Sequence, residues 1–171
     1  MKMQKQKIDT LMETVLIGNL IKNKLMCFWK SKQSKVLIAK RDIKVYKIGI
    51  YAKSDSFYPF FRSYFKYFTN QIVFTEVKFT DTIDWGFHSY INCELVSSYD
   101  KVSLYSCGKL ILWIFLQTNT VYLGEFIIPK GATYCLNRYG EVVSDKIMYT
   151  GNHIEITSDK IYNSKELWKE K

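Results

Sequence analysis

The stretch Tyr122-Leu-Gly-Glu-Phe-Ile-Ile-Pro-Lys-Gly-Ala-Thr-Tyr134 constrains the fold of this chain more than any other. Phe126, Ile127 and Ile128 are aromatic or β-branched and favour a pleated, buried surface. Pro129 cannot donate to a ladder, so it ends the strand. Gly131 supplies the turn into a second strand that begins near Thr133. A single carboxylate, Glu125, heads the apolar run, and a charge opening a buried strand needs a partner or a purpose.

Around this hairpin the pattern predicts further strands. Val36–Ala39 and Ile43–Ile50 are extended, and in the second of these Ile43, Val45, Lys47 and Gly49 share one face while Lys44, Tyr46, Ile48 and Ile50 share the other. Gln71–Thr80 and Thr82–Tyr90 are the next strands. Leu110–Leu116 is short, apolar and branched, which suits a central strand. Asn137-Arg-Tyr-Gly140 turns a hairpin running from Thr133 to Tyr149, and His153–Thr157 forms a last strand. Helices are fewer. Thr10-Leu-Met-Glu13 has the form of a capping box and opens a helix to about Trp29, whose apolar residues surround the axis, so that it is buried on several sides or shared with a second copy. Phe57–Phe68 places aromatics at helical spacing and is read as a helix, an extended segment wrapped over a sheet being the alternative. Ile91–Lys101 and Ser164–Lys169 are read as short helices. The expected architecture is α+β: a curved mixed or antiparallel sheet with few helices, preceded by a basic helical arm and linker (1–35) and forming one domain over 36–171.

Charge sharpens that division. Residues 1–47 hold twelve Lys/Arg against three Asp/Glu, a net +9; residues 48–171 hold thirteen of each and are neutral. A basic head on a neutral body can meet nucleic acid, an anionic surface or an acidic protein, or serve only as a solvated tail. The four cysteines, at 27, 93, 107 and 135, are far apart with no CxxC pair, and only His88 and His153 could add imidazoles. No zinc site is expected, and nothing forces disulfides, which points to a reducing, cytoplasmic setting. The start looks like the head of a signal peptide, but Asp9, Glu13 and Asn19 interrupt the apolar segment that such a peptide needs next. No apolar run is long enough for a transmembrane helix, and the N-terminal helix lacks the clean moment of a membrane-surface helix. No GxGxxG, Walker, HExxH or GxSxG motif is present, which argues against kinases, zincins and serine hydrolases.

Three strand segments carry the candidate chemistry: Ile43-Lys-Val-Tyr-Lys47, Gly86-Phe-His-Ser-Tyr90 and Glu125-Phe-Ile-Ile-Pro-Lys-Gly131. Their order and rough spacing resemble the arginine–serine–glutamate class of mono-ADP-ribosyltransferases, over about residues 43–149. Gly86-Phe-His-Ser-Tyr90 and Ile128-Pro-Lys-Gly131 also look like segments of small uncharacterised bacterial and phage proteins, a likeness that brings no activity with it. The transferase resemblance implies an NAD site. Lys47 would be the cation beside the phosphates, Ser89 the serine of the pocket strand and Glu125 the carboxylate that stabilises the oxocarbenium-like transition state. Tyr46, His88 and Tyr90 would flank the ribose or stack on a ring. The chain departs from the family pattern where Lys47 replaces an arginine fork, an exchange that is not conservative. It departs again where Tyr90-Ile91 follows Ser89, and where Leu123 stands in place of a second acid or amide. A degenerate, nucleotide-binding member is the form this implies. The ordinary alternatives stand beside each assignment: Glu125 as a strand-edge carboxylate paired to a surface cation, His88 as a hydrogen-bonded strand histidine, Lys47 as a snorkelling strand lysine. The rival function is a non-enzymatic phage or mobile-element module that grips an acidic protein or nucleic acid through residues 2–47. Convergence of Lys47, Ser89 and Glu125 on one cleft decides between the two.

Overall fold

The structure, a computed structural model, describes residues 28–29, 34–60, 65–80, 82–83, 86–98, 101–106, 109–115, 121–156 and 161–163. Among them every regular element is a strand. In chain order these are β1 (Phe28–Trp29), β2 (Lys35–Ile38), β3 (Ile43–Lys53), β4 (Ser56–Pro59), β5 (Tyr67–Phe68), β6 (Ile72–Phe74), β7 (Thr82–Ile83) and β8 (Phe87–Tyr90). Next come β9 (Glu94–Ser98), β10 (Lys101–Ser106), β11 (Lys109–Phe115), β12 (Val121–Ile128), β13 (Thr133–Leu136), β14 (Glu141–Ser144), β15 (Lys146–Ile156) and β16 (Ile161–Asn163). The α+β expectation is therefore corrected to an all-strand architecture: a ten-stranded antiparallel sheet, a four-stranded sheet in the order β11-β10-β9-β16, and the pair β1-β7.

Three of the expected helices meet this correction directly. The basic helical arm would have ended at Phe28–Trp29, but those two residues pair with Thr82 and Ile83; residues 10–27 of that arm, and the helix read over 164–169, lie outside the described residues. The described aromatics between Phe57 and Phe68 do not share one helical face: Phe68 is exposed, and the buried ones serve two cores. Phe57 and Tyr67 are buried on one side of the large sheet and Phe60 on the other, so the described residues at both ends of the segment take the extended alternative, in β4 and β5. The Ile91–Lys101 segment alternates, with Cys93 and Leu95 buried and Glu94 exposed, a period of two that makes β9. Leu110–Phe115 of the expected central strand lie in β11, which among the described residues is the end strand of its sheet.

The large sheet is organised by β3, β12 and β15. β3 and β12 pair from Ile43↔Ile128 to Gly49↔Tyr122. The expected alternation along β3 holds, and both of its faces are buried. On one face Tyr46, Ile48 and Ile50, with Val121 and Leu123 of β12, pack against Leu95 of β9 and Val102 and Leu104 of β10. The four-stranded sheet is thus a second layer laid over the first. On the other face Val45, Phe126 and Ile128 meet Phe57, Tyr67, Phe87 and Tyr149.

That second core is enclosed by a ring of strands. β12 pairs β3, β3 pairs β4 and β4 pairs β5. The ring closes where Thr69 bridges Tyr149 of β15, with Asn70 N–H donating to the Tyr149 carbonyl at 2.8 Å, and β15 pairs back to β12. Closing a sheet on itself removes edges that would otherwise need cover. Aromatic rings fill the interior: Phe126 lies 5.1 Å, centroid to centroid, from each of Phe57, Tyr67 and Tyr149. Glycine makes this possible at two places. A Cβ on Gly49 or Gly124 would stand 2.4 Å from a ring carbon of Phe57, so the ring lies directly on the bare backbone of two adjacent strands.

Candidate functional site

The register of the sheet fixes where each candidate side chain points. Glu141 of β14 stands opposite Tyr90 of β8, Tyr90 opposite Tyr46 of β3, and Tyr46 opposite Glu125 of β12. Directly opposed residues share a face. The row Glu141–Tyr90–Tyr46–Glu125 therefore crosses four strands on the face covered by β9 and β10, and His88, two residues from Tyr90, lies on that face too.

Lys47 and Ser89 are one residue out of step and lie on the opposite face. Lys47 is opposite Gly124, its ammonium lies 5.7 Å from the Tyr67 ring centroid and 6.0 Å from that of Phe126, and it donates to the His88 carbonyl. Ser89 is opposite Val142, a member of the aromatic-rich core. The structure thus brings together Glu125, Tyr46, Tyr90 and His88, and puts Lys47 and Ser89 behind them through the thickness of the sheet. The single cleft expected for Lys47, Ser89 and Glu125 is absent, because a strand period of two assigns adjacent residues to opposite faces.

Glu125 has its partners. Its carboxylate meets the Lys44 ammonium at 2.8 Å and accepts from Asn152 Nδ2 at 3.1 Å. Asn152 is delivered by a wide irregularity in β15: Gly124 pairs His153 and Phe126 pairs Tyr149, so Thr150, Gly151 and Asn152 all stand against Glu125. Thr150 Oγ1 donates to the Glu125 carbonyl at 3.0 Å, and Gly151 takes φ 88°. Such an insertion re-aims a side chain while the ladder continues on both sides. On sequence alone Thr150-Gly-Asn152 has the look of a break between two strands; in the fold it is an insertion within one.

At the other end of the row Asn137 builds the turn into β14. Its Oδ1 accepts from Tyr139 N–H at 2.9 Å and Glu141 N–H at 3.1 Å, and its amide donates to Glu141 Oε2 at 2.9 Å. His88 Nδ1 approaches Glu141 Oε1 to 4.0 Å, an electrostatic contact too long for a hydrogen bond. Among the described residues, His88 Nδ1 and Ser89 Oγ are buried without a hydrogen-bond partner.

Between the two acids the phenols stay neutral. Burial, then the Glu125 carboxylate and then Cys93, push the Tyr46 pKa up to about 12. Burial, then Glu141 and then Cys93, push Tyr90 up further. Both hydroxyls keep their protons across any physiological pH. They are only 5% and 8% exposed, so the row is an internal polar seam beneath the second layer and offers a dinucleotide little surface. No group of three or more His, Cys, Asp or Glu side chains suited to a metal ion occurs among the described residues, and no helix among them is long and apolar enough to cross a membrane.

Lys35, Lys40, Arg41 and Lys44 are exposed. Lys40 and Arg41 sit in the turn between β2 and β3, which is locked against the turn after β12: Ala39 N–H donates to the Ala132 carbonyl, and Gly131 N–H to the Ala39 carbonyl, both at 2.8 Å. Asp42 accepts from Lys130 N–H at 2.8 Å, so the one acid in this turn already holds a backbone donor, while the Lys130 side chain adds another exposed cation.

In comparisons with protein-family models, with curated proteins and with solved structures, nothing matches this chain.

Proposed function

We propose that this chain is a binding module that engages an acidic partner through its basic N-terminal quarter. The observation that carries the reading is the segregation of charge. The whole net +9 resides in residues 1–47, and the described part of that segment presents Lys35 at the start of β2 to solvent, together with Lys40 and Arg41 on a turn braced by two backbone hydrogen bonds. Cations held on a rigid turn lose less conformational freedom on binding than cations on a free tail. The separation of Lys47 and Ser89 from Glu125 supports the same reading, because the three side chains of the rival site do not converge. The test is binding of a labelled acidic polypeptide and of labelled DNA to the full chain over a salt series. Binding that weakens steeply between about 50 and 200 mM salt, and that falls on Lys40→Glu with Arg41→Glu, supports the reading. Binding indifferent to both overturns it.

A second reading, an ADP-ribosyltransferase-like domain that binds NAD, is favoured by one observation: Glu125, Tyr46, Tyr90 and His88 lie on one face of three adjacent strands. In this form Lys44, already at Glu125, takes the place that Lys47 would have held. Calorimetry with NAD tests it. Heat that disappears on Glu125→Ala and Lys44→Ala, but survives Lys47→Ala, supports it; no heat with NAD or its fragments removes it.

A further inference from the structure

β2 is the end strand of the ten-stranded sheet on its β13 side, and it is unusual among edges. Val36, Leu37 and Ile38 are 42%, 43% and 67% exposed, so apolar side chains stand in solvent on both faces of the strand. Soluble proteins ordinarily guard such edges with charge or cover them. The backbone is open as well. Ala39 turns both its N–H and its C=O to the β13 side, toward Ala132 and Gly131. Alternation gives Leu37 and Lys35 the same direction, since Leu37 stands opposite Tyr134 and Lys35 opposite Leu136. The backbone groups of Val36 and Ile38 consequently face the outer edge, where among the described residues no strand pairs with them.

Resting on the acidic-partner reading above, we propose that this edge accepts an extended, acidic polypeptide segment as an added strand. The edge itself selects the class of partner. Outward N–H and C=O groups in alternation match a peptide backbone, which both donates and accepts; a nucleic-acid phosphate only accepts and would leave the carbonyls of Val36 and Ile38 unused. Charge selects the sequence. The strand is bracketed by Lys35 at one end and by Lys40 and Arg41 at the other, all exposed, so acidic residues flanking the incoming strand find cations at both ends. The same cations disfavour a second copy, because two-fold pairing of β2 with itself brings Lys35 of each chain toward Lys40 and Arg41 of the other. Val36, Leu37 and Ile38 supply the apolar contact that such a pairing buries.

The experiment is selection of short random peptides from a displayed library on the full chain, with counter-selection on the Val36→Pro variant. Proline at Val36 removes an outward N–H and leaves those of Lys35 and Leu37 to hold β13. Enriched peptides are expected to alternate apolar residues between acidic ends. Their affinity should fall at least about tenfold on Val36→Pro, and also on Lys40→Glu with Arg41→Glu. Should Val36→Pro unfold, the selected peptides N-methylated at alternate amides make the same comparison on the unaltered protein, and they should not bind. Peptides that bind Val36→Pro or survive N-methylation equally well overturn the added strand and leave the acidic-partner reading standing. No enrichment, while acidic polypeptide or DNA still binds through Lys40 and Arg41, does the same. Self-association of the free chain that Val36→Pro abolishes also overturns it, in favour of a second copy. Loss of every acidic ligand takes the earlier reading down with it.

Discussion

Gly124 and Gly49 both make room for the ring of Phe57, but their surroundings differ. The three atoms nearest a Cβ at Gly124 all belong to side chains, Phe57 from 2.4 Å and Phe126 at 3.0 Å, whereas one at Gly49 also meets the Tyr58 carbonyl at 2.6 Å. Overpacking of this kind costs about 1–3 kcal/mol. Gly124→Ala is therefore expected to lower stability by that amount and to regain a good part of it when combined with Phe57→Leu. Gly49→Ala should not be rescued by Phe57→Leu, because the backbone oxygen stays. Chemical denaturation of the two double-mutant cycles checks this, and equal rescue at both glycines contradicts it. Tyr46 gives a second prediction at this scale. Its folded pKa is raised above the unfolded value of 10.0, so the neutral phenol stabilises the fold fully below about pH 10, and that stability is lost as pH rises through about 12. Tyr90 and Tyr149 are shifted the same way, chiefly by burial. The unfolding midpoint should fall across this window, and less steeply in Tyr46→Phe. Glu125→Gln should lower the pH at which Tyr46 ionises, since it removes a charge that opposes the phenolate; tyrosinate absorbance reads both effects.

At the scale of elements, the irregularity in β15 positions Glu125, and it should be costly to disturb. Asn152→Ala removes a hydrogen bond to a carboxylate only 5% exposed, with an expected loss of about 1.5–3 kcal/mol. Gly151→Ala combines φ 88° with a Cβ 2.9 Å from the Ser54 carbonyl, and should cost a comparable amount through backbone strain, of order 1–3 kcal/mol. Thermal melts decide. If both variants melt with the parent protein, the segment is slack and does not hold the acid. The same segment shows where sequence reading stops. Alternation in Ile43–Ile50 and the Glu125–Gly131 run was legible because each strand has one pattern and one pair of neighbours. Thr150-Gly-Asn152 was not, because a turn and an insertion within a strand use the same residues, and only the partner strand distinguishes them. The aromatics from Phe57 to Phe68 were ambiguous for a related reason: two cores on opposite faces of one sheet draw on a single segment, and their combined spacing imitates a helix.

For the molecule as a whole, the candidate site was half legible. The segments bearing Glu125, Tyr46, Tyr90 and His88 were legible as strands, but that these four side chains share a face was not. Pattern alone could not supply the phase between strands, and phase alone puts Lys47 and Ser89 on the far face from Glu125. The charge asymmetry was legible in full, as it requires only counting. The proposed binding role rests on that asymmetry rather than on the polar seam. It is tested most directly by amide-resolved NMR of the full chain titrated with polyglutamate at about 50 mM and about 200 mM salt, a range over which screening of exposed charges rises sharply. Shifts centred on Lys35–Lys44, fading at the higher salt, are expected. Shifts centred on Tyr46, Tyr90 and Glu125, or no shifts at either salt concentration, would contradict it.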